Sequence, residues 1–155
     1  MSLESVRAWL EANAPDLPLI EVAESTATVA AAALALGVEP ARIAKTLAIR
    51  VGEEVFLLVA RGDARLDNAK TKAAFGARPR MLGAEETFAL TGHPVGGVCP
   101  FGLAGPLPIY CDVSIQEFDI VYPAAGSLNT SVAVPPTRLA EITGAKWVDI
   151  CRLPE

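Results

Sequence analysis

Leu3, Val6, Trp9 and Leu10 recur at three- and four-residue intervals, which is one apolar helical face, and the pattern stops before Pro15. A second helix is predicted over 30–36, with Thr26 or Thr28 as its cap and Gly37 ending it in a left-handed conformation. Pro40 opens a short helical turn, since its fixed φ suits a first helical position, and this turn delivers the chain to Lys45. Residues 46–51 and 54–60 read as paired strands around Gly52-Glu53. The second, apolar from Val55 to Val59, reads as central to its sheet. Further on, a capped helix is expected over 67–75, closed by Gly76, then a strand over 78–82 and a helix over 84–90. Strands are expected over 107–111, 120–122 and 131–134, then a helix over 136–142 and a last strand over 147–150. Helices and strands are interspersed without a regular βαβ rhythm, so the fold class is α+β, as one domain over 1–155.

Composition narrows the picture. A chain of 155 residues with 52% hydrophobic but only 6% aromatic positions must pack its core mainly with Ala, Val and Leu. No apolar run approaches the roughly 20 residues of a membrane helix, and Met1 to Arg7 has no basic, greasy leader pattern. No membrane partner and a cytoplasmic location are therefore expected. Three scattered cysteines (Cys99, Cys111, Cys151) and one histidine give neither a disulfide framework nor a metal site, so three reduced thiols are expected. The net charge of −5 argues against non-specific nucleic-acid binding, and DNA is not an expected partner. Arg61, Arg65, Lys70, Lys72, Arg78 and Arg80 nevertheless crowd into twenty residues. That run reads either as a solvated surface or as a local face for an anion.

Two segments carry candidate chemistry. In Gly96-Gly97-Val98-Cys99-Pro100-Phe101-Gly102, glycines let backbone N–H groups approach a ligand, the kind of donor that holds a developing oxyanion in acyl transfer. An ordinary surface loop has the same glycine content. The spacing matches neither a P-loop nor a dinucleotide fingerprint. Lys45 stands among Ile43, Ala44, Leu47 and Ile49. It is either a half-buried ammonium kept for an anion or a strand-edge lysine whose head snorkels to water. His93 and Cys99 invite a thiol–imidazole reading, although nothing in the sequence brings them together. Asn129, Thr130 and Ser131 offer small polar groups for hydrogen-bond readout, or simply a turn before a strand. Trp9, Phe75 and Trp147 read as core.

The stretch from Ala31 through Gly37-Val38 into Arg42-Ile43-Ala44-Lys45-Thr46-Leu47 resembles the first motif of the YbaK/ProX group, freestanding relatives of the editing domain of bacterial prolyl-tRNA synthetase. Gly92 to Gly102 resembles that group's GxxxP loop, here starting at Gly96 and reaching Pro100. The resemblance runs from about Thr26 to Ile150. It implies a mixed, mostly antiparallel central sheet or partly closed barrel flanked by helices. It also implies hydrolysis, without a cofactor, of the ester joining a wrong amino acid to the 3′ end of a tRNA. By the same resemblance, Lys45 holds the 3′ end and the backbone at Gly96 positions the ribose hydroxyl and a water. Thr28, Gly97, Val98, Cys99, Pro100 and the segment Asn129-Thr130-Ser131 would bound a pocket for a small side chain. Cysteine-clearing members carry an acidic residue where this chain has Ser131. The implied substrate is therefore tRNA-Pro bearing a small residue such as alanine, serine, threonine or 2-aminobutyrate, and the weak tRNA affinity that a net charge of −5 suggests points to a synthetase or elongation factor as the partner that delivers it. The contrasting reading is an accessory module that binds tRNA or a synthetase without chemistry.

Overall fold

The computed structural model describes residues 2–154. The chain opens with α1 (Ser2–Asn13), a short strand β1 (Leu19–Glu21) and α2 (Val29–Leu36). Thr28 caps α2 by accepting the Ala31 N–H at 3.0 Å, and Gly37 closes it at φ +69°. A 3-10 turn (Pro40–Arg42) leads into β2 (Ile43–Val51), which pairs along its length with β3 (Glu54–Arg61). There follow β4 (Arg65–Leu66), α3 (Asn68–Phe75), β5 (Arg80–Met81) and α4 (Ala84–Thr91). After the glycine loop come β6 (Ile109–Asp112), β7 (Tyr122–Pro123) and β8 (Thr130–Val132). The chain finishes with α5 (Pro136–Thr143), β9 (Lys146–Val148) and β10 (Cys151–Arg152).

The main sheet runs β5-β2-β3-β6-β9, with β7 also on β2. It is mixed: β2 is antiparallel to β3 and β5, whereas β3–β6, β6–β9 and β2–β7 are parallel. Two small antiparallel pairs, β1–β8 and β4–β10, complete it, so antiparallel pairings outnumber parallel ones.

Both faces of β3 are buried, which explains its unbroken apolar run. Phe56, Leu58 and Ala60 pack with Ile49, Ile150 and Phe75 on one side. Val59 packs on the other side with Val6 and Leu10 of α1 and Leu139 of α5. Phe56, Phe75 and Tyr110 form an aromatic trio with ring centroids 4.8–5.2 Å apart.

Four predicted strands change shape in the structure. The strand expected over 147–150 stops at Val148, because the buried Asp112 carboxylate takes the Ile150 and Cys151 N–H groups at 2.8 and 3.1 Å. The 131–134 strand starts one residue early and ends at Val132, with Val134 surviving as a single bridge to Val121. The strands expected over 120–122 and 78–82 are paired only at Tyr122–Pro123 and Arg80–Met81. β1, only three residues long, had no readable pattern and is held in place by β8.

Candidate active site

Along one edge β2 has no continuous neighbour. β7 pairs with Ile43 and Ala44, β5 pairs with Ile49 and Arg50, and on this edge residues 45–48 between them face no strand among the described residues. A cleft of about 260 Å³ opens at this gap. Its inner wall is the edge of β2, and the start of α2 (Thr26 to Val29, Ala32) forms another wall. Val95, Gly96 and Val98 come from the glycine loop, and Thr130 and Ser131 from β8. Alanines such as Ala32, Ala44 and Ala48 line the cleft beside larger groups such as Ile43, Leu47 and Tyr122, and its modest volume suits a small group.

The glycine loop is shaped by close approach. The Gly97 N–H donates to the Pro94 carbonyl at 2.9 Å, and Gly96 at the third turn position has φ +96°, the geometry of a type II turn that needs glycine there. A Cβ on Gly96 would lie 2.9 Å from Leu128 Cδ2 and 3.0 Å from Ala27 Cβ. One on Gly97 would lie 2.9 Å from the Ser127 nitrogen, and the Gly97 carbonyl accepts the Gly126 N–H at 3.0 Å. Among the described residues, the N–H groups of Gly96 and Val98 have no protein acceptor.

The base of the loop is closed by His93, which is fully buried. Its Nε2 lies 2.7 Å from the Phe101 carbonyl, an acceptor only, so Nε2 carries the proton. Nδ1 then accepts from the Ser2 hydroxyl at 2.5 Å. Burial lowers the His93 pKa below its ordinary 6.5, against a smaller opposing effect of the Phe101 bond, which keeps the ring neutral. With both ring nitrogens committed, His93 cannot take a proton from Cys99, although Cys99 Sγ is 3.6 Å from Nε2. The thiol points at the Phe101 carbonyl at 3.7 Å, and burial pushes its pKa up to about 12. This is a structural cysteine and not a nucleophile.

Lys45 lines the cleft but is already engaged. It is half-buried, and its ammonium donates to the Ala64 carbonyl, within the cluster that contains Cys151. Burial lowers its pKa; the electrostatic influences of Cys151 and Asp63 act the other way. Of the other candidates, Thr28, Gly96, Val98, Thr130 and Ser131 meet at the cleft. Gly97, Cys99, Pro100 and Asn129 do not line it. The Asn129 amide donates to the Val22 carbonyl at 3.0 Å and so ties β8 to the chain before α2. Ser131 Oγ donates to the Pro123 carbonyl at 2.7 Å, and Thr130 Oγ1 shares a 2.7 Å bond with Ser127.

Two hydroxyls that sequence reasoning did not single out as ligands stand apart. Thr26 Oγ1 and Thr46 Oγ1 are buried, line the cleft and have no hydrogen-bond partner among the described residues. Only a fold shows whether a threonine hydroxyl is satisfied. The basic run also divides: Arg61 pairs with Asp63 and Glu117, and Lys70 with Asp149, whereas Arg65, Lys72, Arg78 and Arg80 remain exposed. Among the described residues no cluster of His, Cys, Asp or Glu is able to hold a metal ion, and no helix is long and apolar enough to cross a membrane.

Comparison with known proteins matches residues 23–142 to the aminoacyl-tRNA editing domain family. The uncharacterized protein YwhH of Bacillus subtilis is 44% identical over 154 residues, covering 98% of each chain. A proline–tRNA ligase of Shouchella clausii is 34% identical over 123 residues. That match takes in 77% of this chain and 21% of the ligase, so the chain spans about a fifth of that relative. A solved structure described as that of a candidate trans-editing enzyme for prolyl tRNA synthetase superposes with a TM-score of 0.88 at 32% identity, over 97% of both chains.

Proposed function

The chain belongs to the aminoacyl-tRNA editing domain family, and we propose that it works in trans as a deacylase of mischarged tRNA. The substrate we assign is tRNA-Pro carrying a small non-cognate amino acid such as alanine, serine, threonine or 2-aminobutyrate. The observation that carries this reading is the loop tip: two N–H groups without protein acceptors, at Gly96 and Val98, on the wall of a small cleft. Such donors stabilise the oxyanion that forms when a water attacks the ester carbonyl. The bond to the ribose oxygen then breaks, that oxygen leaves as a hydroxyl with a proton, and the amino acid departs with the water's oxygen.

Small pockets discriminate one methylene by only about 1–3 kcal/mol, which is why synthetases mischarge close analogues and a second site clears them. A cleft of about 260 Å³ is the kind of sieve that admits such small analogues. In this reading Lys45 gives up the Ala64 carbonyl for an anionic oxygen of the tRNA 3′ end, keeping one hydrogen bond throughout and gaining a charge partner. The net charge of −5 implies weak tRNA affinity by itself, which favours delivery by a synthetase or elongation factor in the cytoplasm. The test is ester loss at catalytic protein concentration beside Lys45→Ala. Turnover by wild type but not by the folded variant supports the reading, whereas an ester protected by wild type identifies a binding module.

A further inference from the structure

Among the described residues no carboxylate lines the cleft, yet the aminoacyl group of the proposed substrate carries an α-ammonium that must be received there. Polar groups without partners face it from two walls, the edge of β2 and the segment before α2. The Thr46 side chain contributes a buried hydroxyl without a partner. Its backbone adds to this: the Leu82 N–H reaches the Ala48 carbonyl on the open edge of β2 at 3.0 Å, and residues two apart on a strand direct their carbonyls to the same edge. The Thr46 carbonyl therefore points into the gap between β5 and β7, where no strand meets it. From the wall before α2, Thr26, only 6% exposed, presents a second unpartnered hydroxyl to the same cleft. Buried hydroxyls without partners are uncommon and mark where a ligand or water completes the structure.

Resting on the deacylase reading, we infer that the α-ammonium of the aminoacyl group is held at this edge by the Thr46 carbonyl and the hydroxyls of Thr26 and Thr46. Three acceptors meet three N–H donors, and each hydroxyl keeps its own proton to give to a water. Recognition by neutral acceptors also makes the site selective for a free amino group over an acylated or hydroxyl one, since either replacement leaves acceptors unmatched.

The experiment uses tRNA-Pro charged with alanine or serine, each beside the hydroxyacyl counterpart made by nitrous acid deamination, with all rates divided by the uncatalysed rate. Wild type is expected to favour the amino ester by about ten- to a hundredfold, as hydrogen bonds to a charged group suggest. Thr26→Val and Thr46→Val are expected each to lower kcat/KM for the amino ester by about tenfold or more and to lower it far less for the hydroxy ester, so that the preference for the amino ester shrinks. Their melting temperatures should hold or rise, because no existing protein hydrogen bond is lost. Equal loss on both esters, or no loss on either, overturns the assignment. If wild type cleaves neither kind of ester, the deacylase reading falls and takes this assignment with it.

Discussion

The two ends of the glycine loop treat their polar groups in opposite ways. At its base, His93, Cys99 and the Phe101 carbonyl are buried and paired, with Ser2 completing the set from the start of α1. Ser5 adds a bond to the Gly102 carbonyl at 3.1 Å, and a Cβ on Gly102 would lie 2.5 Å from the Ser5 carbonyl oxygen, so helix and loop fit without slack. At the tip, on the edge of β2 and in the segment before α2, by contrast, two N–H groups and two hydroxyls have no partner among the described residues. A satisfied base holds the loop still and an unsatisfied tip leaves donors for a ligand. Preorganisation of this sort lets a backbone-built site stabilise charge without a side-chain nucleophile.

The largest effect is expected from removing the tip's geometry. Gly96→Ala puts a side chain at φ +96° and within 3 Å of Leu128 and Ala27. Deacylation should fall by about a hundredfold or more, as when an oxyanion donor is lost, with a modest drop in melting temperature. Unchanged kinetics in this variant would show that the tip is not the reacting face.

Damage to the base should instead appear first in stability. His93→Gln disturbs a fully buried network and should cost about 1–3 kcal/mol in chemical denaturation. The ring also carries a pH signature. Its folded pKa lies below 6.5, so the unfolded chain binds the proton more readily. Its contribution is complete above pH 6.5 and is lost as pH falls from there through the folded value. Wild type should therefore lose more stability than His93→Gln between pH 7 and pH 5. Parallel pH profiles would mean that His93 is not the titrating group.

The smallest effect should come from Cys99→Ser, which keeps a donor toward the Phe101 carbonyl. Activity within about twofold of wild type is expected. Native Cys99 should resist iodoacetamide at pH 8, because a thiol whose pKa is pushed up to about 12 has almost no thiolate there. Rapid alkylation with loss of turnover would revive a thiol mechanism.

What the sequence revealed is what local chemistry decides. Thr28 and Gly37 bracket α2 as their residue types predict, Asp67 and Gly76 do the same for α3, and both editing motifs reach the cleft through Lys45, Gly96 and Val98. Long-range choices were not visible. Nothing within the 107–111 segment says that β6 runs parallel to β3, or that Asp112 will take the N–H groups that would have continued β9. Asn129 looked like a contact residue and proves to be a tie to Val22, because an amide's partner depends on which strand lies beside it. The open threonines were equally hidden, since satisfaction is a property of the fold.

The most direct measurement is deacylation of tRNA-Pro charged separately with alanine, cysteine, serine, threonine, 2-aminobutyrate and proline, with wild type and Lys45→Ala side by side. Multiple-turnover loss of one or two small non-cognate esters, with prolyl-tRNA spared and Lys45→Ala inactive but folded, is the predicted result. Esters that survive wild type at every ratio of protein to tRNA, or that both proteins cleave equally, would contradict it.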